Sequence, residues 1–193
     1  FDTSQVKDML STADSSTLTG LRDYAILSLM VTTGLRTIEV ARADFEDMRA
    51  VADFTALYIQ GKGHTEKTEY VKLTKPVENA IRAYLKARGS VKPNEPLFCS
   101  TSNRDRGERL TTRSISRIAK THLVEAGLNS ERLTAHSLRH TAATLNLLNG
   151  GSVEETQQLL RHTSINTTMI YSHALERAKN NSEQRIADAI FNK

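Results

Sequence analysis

The chain has 193 residues, 38% of them apolar, with one cysteine and a formal net charge of +4. That composition supports one hydrophobic core, and no apolar run approaches the roughly 18 residues that a membrane span needs. A lone Cys99 excludes a disulfide framework and zinc knuckles built on cysteine pairs, and points to a reducing, cytoplasmic setting.

Asp2-Thr3-Ser4-Gln5 reads as a capping-box helix start, followed by Val6, Met9 and Leu10 at helical spacing. A polar stretch, Ser11 to Thr19, leads to Leu21–Thr33, which is apolar on nearly every side and closed by Gly34. This is the expected central, buried helix. Thr37–Ala43 predicts a short helix bounded by Asp44. The pattern then turns β-prone: a possible strand at Phe45–Met48, then Phe54–Ile59 and Thr68–Leu73 as a hairpin around Gly61-Lys62-Gly63.

Thr74 as N-cap, Pro76, and the stripe Val77, Ala80, Ile81, Tyr84 and Leu85 predict a helix ending at Gly89. Pro93 and Pro96 mark a loop before a buried Leu97-Phe98-Cys99. Helices are then expected at Thr112–Ala126, Ala135–Leu148 and Ser152–Leu160, with a short piece at Ile165–Tyr171 and a last helix at Ala174–Phe191. The sum is a mainly α fold with a small antiparallel three-stranded sheet (α+β), expected to be a single domain over 1–193. Phe1 in place of an initiating methionine suggests a fragment of a longer protein.

Charge is unevenly placed. Residues 1–50 hold five basic and eight acidic side chains, whereas residues 60–120 hold fourteen and six. A basic region of this size suits either a solvated face or a polyanion partner.

His136-Ser137-Leu138-Arg139-His140 puts His136, Arg139 and His140 on one helical face at i, i+3 and i+4. Two His at that spacing also occur in zinc-binding helices, but those carry a Glu where this chain has Ser137, and Arg139 would repel a dication. The three groups suit a phosphate better, since Arg donates two parallel hydrogen bonds and each imidazole one. Arg36 follows the most apolar helix directly, a costly place for a charge unless Glu39 pairs with it. Tyr24, Tyr58, Tyr70 and Tyr84 read as packing residues. Tyr171 differs, lying nine residues after His162 beside a polar run. A phenol with a pKa of about 10 needs cationic neighbours or a base to act as a nucleophile, and this chain has both.

In order, Thr33-Gly34-Leu35-Arg36-Thr37-Ile38-Glu39, Gly61-Lys62-Gly63, His136 to His140, Leu159-Leu160-Arg161-His162 and Tyr171 resemble the catalytic signature of the tyrosine recombinases, the phage-type integrases and Xer-type resolvases. The resemblance implies that Tyr171 attacks a DNA phosphodiester to give a 3′-phosphotyrosyl enzyme. Arg36 and Arg139 would hold the non-bridging oxygens, and His136 and His162 would add hydrogen bonds or take the phenolic proton. Lys62, with Lys67 as the alternative, would protonate the leaving 5′-oxygen, and Glu39 and His140 would support. Neither ATP, metal nor any other cofactor is implied, and Gly61-Lys62-Gly63-His64-Thr65 does not match a phosphate loop of the GxxxxGK[ST] kind.

The implied partners are double-stranded DNA, further copies of the chain as a tetramer on DNA, and accessory DNA-bending proteins, with no membrane. The implied setting is cytoplasmic, for a bacterial or phage-encoded protein associated with the nucleoid when active. The implied role is integration or excision of a mobile element. A type IB topoisomerase-like enzyme and a non-catalytic DNA-binding helical module are the rival readings. Family members usually have Gly where this chain has Arg161, and the hairpin is about two residues longer than their pattern, with Glu69 where a basic residue is common. They also carry an N-terminal DNA-clamping domain, expected to be absent from this fragment. The tail 174–193, with Ile186, Ala189, Ile190 and Phe191 on one stripe, resembles the segment that docks on an adjacent protomer.

Overall fold

The computed structural model describes residues 1–61, 63, 65–162, 164–180 and 182–191, the last without its side chain. The chain packs as two compact units, Phe1–Ala142 and Ala143–Lys193.

In the first unit, α1 (Thr3–Ser11) starts on the expected capping box: Gln5 N donates to Asp2 Oδ1 at 2.8 Å, and Asp2 N to Gln5 Oε1 at 3.0 Å. Helix α2 (Leu18–Thr33) is buried on almost every side through Ala25, Ile26, Leu27, Leu29 and Met30. Gly34 ends it at φ 63, a left-handed conformation that costs glycine nothing. Tyr24 departs from the sequence expectation. It is 40% exposed, because the helix is wrapped by α1, α4 (Lys75–Arg88) and α5 (Thr112–Glu125) but not at that position.

Helix α3 (Thr37–Arg42) follows directly, then one 3-10 turn, Phe45–Asp47, where a strand was expected. Asp44 and Asp47 cause the turn: Asp44 N donates to Asp47 Oδ2 at 2.7 Å, closing a capping box that an extended chain could not form. Strand β1 is therefore displaced to Met48–Val51 and pairs antiparallel with β2 (Phe54–Ile59), which pairs with β3 (Glu69–Leu73). The register sets Leu57 opposite Met48 and Val71. Leu57, Ile59, Val71 and Leu73 face the core.

The other sheet face holds Phe54, Tyr58 and Tyr70 in contact, with Arg49 stacked over Tyr58 and Lys72 over Phe54. Tyr70 is thus 43% exposed rather than core. Tyr84 is buried as expected, its hydroxyl accepting the Cys99 N–H at 3.1 Å. Arg22, Asp23 and His122 form a buried polar link: Arg22 Nε donates to Asp23 Oδ1, and His122 lies 3.2 Å from Asp23 Oδ2 and 2.7 Å from Thr12 Oγ1. This ties α1, α2 and α5 together. No helix among the described residues is long and apolar enough to cross a membrane.

Helix α6 (Ala135–Leu148) begins in the first unit and runs into the second. There α7 (Val153–Leu160) packs on α8 (Ile165–Lys179), and α9 (Ser182–Phe191) follows. The sequence divided this region before Ala174, but α8 runs unbroken through Tyr171. Nothing between Tyr171 and Ala174 stops a helix, whereas Asn180 leaves the helical region at ψ 118 and its side chain accepts the Ser182 N–H at 2.9 Å.

Candidate active site

Arg36 sits at the N-cap of α3 with extended backbone, φ −78 and ψ 152. Its side chain is one-third exposed, while that of Glu39 is fully buried. One Glu39 oxygen accepts the Arg36 backbone N–H at 2.6 Å, and the other accepts Arg36 Nη1 at 3.1 Å. One carboxylate therefore fixes both the start of the helix and the direction of the guanidinium. The pairing expected from their spacing is present.

Arg139 projects from α6 and is 3% exposed. Its Nη1 donates to the carbonyl oxygen of Gly34. Of the basic face expected for His136, Arg139 and His140, Arg139 is buried and both histidines are exposed. Their rings meet edge to face with centroids 4.5 Å apart. Desolvation, followed by the charges of His136 and Arg139, pushes His140 below the ordinary imidazole range.

Arg36, His136 and Arg139 line one cavity of about 300 Å³ with Leu35, Thr134 and Ser116, and no carboxylate is among the described residues that line it. Two guanidiniums and an imidazole around an open space are suited to an anion with several oxygens. His140 is not part of that lining, and Glu39 stands behind Arg36. Ser116, from α5, is a lining residue that sequence reasoning missed. It lies on an amphipathic helix among other polar residues, and no signal separates it from an ordinary surface serine.

Lys62 lies outside the described residues. Lys67, the alternative, is held by two carboxylates, with Nζ 2.6 Å from Asp44 Oδ2 and 2.5 Å from Asp47 Oδ2. Burial pushes its ammonium down, but the hydrogen bonds it donates to Asp44 and Asp47, with their charges, outweigh burial and leave it above the usual lysine range. A lysine held this way gives up its proton reluctantly, which weighs against Lys67 as an acid.

In the second unit, α7 opens on a capping box between Ser152 and Glu155 and ends at Arg161, which is left-handed at φ 53 and ψ 45. His162 follows, its Nδ1 2.9 Å from the hydroxyl of the buried Thr168. The His162 carbonyl accepts Gln157 Nε2 at 3.1 Å. Tyr171 is half-buried on α8, one turn beyond Thr168 and on the same face. The contact with Thr168 thus sets His162 against α8, the helix that carries Tyr171.

The chain is similar to the tyrosine recombinase XerC of Chlamydia caviae, at 35% identity over 182 residues, covering 93% of this chain and 56% of the relative. The crystal structure of the XerA recombinase matches the whole chain at 29% identity with a TM-score of 0.74, over 65% of its own length. The XerH site-specific recombinase, bound to a palindromic difH substrate in a post-cleavage complex, also matches the whole chain, at 25% identity with a TM-score of 0.73, over 53% of its length. The chain spans about half the length of the curated relatives it matches. Its fold is that of tyrosine recombinase catalytic domains. The phage integrase family matches over residues 1–177, and the chain belongs to that family.

Proposed function

We propose that residues 1–193 form the catalytic domain of a site-specific DNA recombinase that cuts and rejoins double-stranded DNA through Tyr171. The observation that carries this reading is the cavity that Arg36, at the start of α3, shares with His136 and Arg139 of α6, a segment some hundred residues further along the chain. The Tyr171 oxygen forms a bond to phosphorus while the bond from phosphorus to the 5′-oxygen breaks. Negative charge grows on the non-bridging oxygens, where Arg36 and Arg139 act as fixed donors, usually the largest single contribution to such a rate. His136 donates to the same oxygens, and His162 accepts the phenolic proton or adds a hydrogen bond. Lys62 supplies the proton to the leaving 5′-oxygen. Glu39 orients Arg36, and His140 supports His136. The phosphodiester energy is kept in the phosphotyrosine, so rejoining requires no nucleotide.

The whole protein would act as a tetramer on DNA. Exposed Ile186 and Ile190 on α9 support a tail that docks on an adjacent protomer. Integration or excision of a mobile element is the first reading of its role. Similarity to XerC favours a second, Xer-type resolution. Plasmids with two sites on one circle or on separate molecules distinguish the two.

The chemistry is tested by incubating the chain with a pool of nicked duplexes of randomised sequence, in which cleavage frees a short 5′-hydroxyl fragment and traps the enzyme on DNA. A covalent adduct is expected with the native chain and none with Tyr171→Phe, which keeps its salt-sensitive DNA binding. Adduct formation by Tyr171→Phe overturns the assignment of the nucleophile. Relaxation of supercoils without a preferred site would favour the topoisomerase reading instead.

A further inference from the structure

Helix α5 buries Ile115, Ala119 and Leu123 against the core. Ser116, next to Ile115, is half-buried and lines the cavity that holds Arg36, His136 and Arg139. A serine inside a helix commonly turns its hydroxyl back onto the carbonyl four residues earlier, as Thr141 does in α6 by donating to Ser137 O at 2.9 Å. Other hydroxyls nearby are also engaged: Thr111 and Ser114 bond to each other at 2.9 Å, and Ser137 donates to Arg132 O. The Ser116 hydroxyl has no hydrogen-bond partner among the described residues, and it is not sealed from solvent.

The charged residues that share the cavity lining with Ser116 are cationic, and no carboxylate among the described residues lines it. In such a field a hydroxyl dipole turns its proton toward the anion that the cations attract. Arg36 approaches the cavity from α3 and Arg139 from α6, so a donor on α5 adds a third element.

We propose that Ser116 is a further substrate contact, donating a hydrogen bond to a non-bridging oxygen of the phosphate held by Arg36 and Arg139. This rests on the reading of the cavity as the phosphate site. The contact forms no covalent bond and moves no proton. Its effect is to fix the rotation of the phosphate about the axis between the two guanidiniums.

The test is titration of the whole chain with inorganic phosphate, followed by the ring signals of His136 and the guanidinium signals of the arginines in NMR spectra. Ser116→Ala should weaken phosphate binding about five- to tenfold, the scale of one ordinary hydrogen bond. Ser116→Thr should restore it. Ser114→Ala, which alters a hydroxyl bonded to Thr111, should bind as the native chain does. Equal affinity of Ser116→Ala and the native chain overturns the contact and leaves the phosphate site standing, provided Arg36→Ala loses binding. No phosphate-dependent shift in the native chain overturns the phosphate site and the Ser116 contact together. A lower melting temperature of Ser116→Ala without rescue by Ser116→Thr would assign the serine to packing and also overturn the contact.

Discussion

Arg139 Nη1 donates to the carbonyl oxygen of Gly34 across 2.5 Å. Arg139 is buried, so its charge needs acceptors in place of water, and the end of α2 supplies one. Helix carbonyls near a C-terminus lack intrahelical partners and carry the negative end of the helix dipole, which suits a guanidinium. Two residues beyond Gly34 comes Arg36, whose direction is set by Glu39. Both arginines of the cavity are thus referred to one short piece of backbone, and the left-handed turn at Gly34 is what lets that piece leave the helix abruptly.

Replacing Gly34 should therefore affect fold and site together. Gly34→Ala places a Cβ in a left-handed conformation and should lose about 1–2 kcal/mol of stability. Gly34→Asn should lose less, because asparagine tolerates that region. Denaturant unfolding of the two variants measures the difference, and a Gly34→Ala chain as stable as the native one would remove the constraint assigned to this turn.

Glu39 holds Arg36 by two separate oxygens, one on the backbone N–H and one on the guanidinium. Glu39→Gln keeps the shape but removes the charge and one acceptor. Arg36 should then sample other rotamers, and the adduct-forming rate should drop about ten- to a hundredfold, the scale expected when a reacting group is misplaced by a fraction of an ångström to an ångström. DNA binding should change far less than the rate. A large loss of binding with an unchanged rate would show that Glu39 serves affinity and not alignment.

The acid stability of the first unit should depend on Glu78, whose carboxyl is lowered to about 2, first by a hydrogen bond from Arg82, against a burial penalty, and then by Lys75 and Thr55. A carboxylate with a depressed folded pKa contributes stability that is present above its unfolded value, near 4.5, and is lost as pH falls toward about 2. Melting temperature should fall across that window, and more gently in Glu78→Gln. Because Arg82 and Lys75 are largely exposed, salt should weaken the effect. Parallel melting curves for Glu78→Gln and the native chain between those pH values would discount it.

Much of this was legible from residue order. Apolar patterning located α2, apolar on nearly every side and closed by Gly34, and α4, whose stripe runs from Thr74 to Gly89; it also placed α5 and α6. The hairpin was legible from β-prone runs around the glycines. The start of β1 was not, since the Asp44–Asp47 capping box forms a turn from residues that read as a strand edge. The break between Tyr171 and Ala174 was misplaced, since no residue there stops a helix and α8, packed on α7, runs through to Lys179. Among the site residues, Arg36 with Glu39 was readable from their spacing. The inward turn of Arg139 was not, because helical position gives a face and not the carbonyl that a side chain finds there. Ser116 was invisible, since only the tertiary fold brings α5 to the cavity.

Arg161 is the residue at which this chain departs from the glycine usual in the family pattern, and its backbone explains that glycine. At φ 53 and ψ 45 it occupies a left-handed C-cap, where its N–H reaches the Gln157 and Gln158 carbonyls. A non-glycine residue there costs about 1–2 kcal/mol, whereas glycine avoids the strain but gives up about 0.5–1 kcal/mol through its freer unfolded chain. The side chain returns part of the difference by donating from Nη1 to Leu159 O at 2.8 Å. Alanine would keep the strain and lose that bond. Arg161→Gly should therefore be more stable than Arg161→Ala by roughly 1 kcal/mol, the reverse of the usual order inside a helix. Paired denaturation curves decide the sign, and a more stable alanine variant would mean that the left-handed cap does not govern this position. The same comparison bears on the site, because His162 is the next residue and its Nδ1 must still reach Thr168. Arg161→Gly should preserve that contact and the adduct-forming rate, while Arg161→Ala, by favouring a right-handed continuation of α7, should swing His162 off Thr168 and lower the rate.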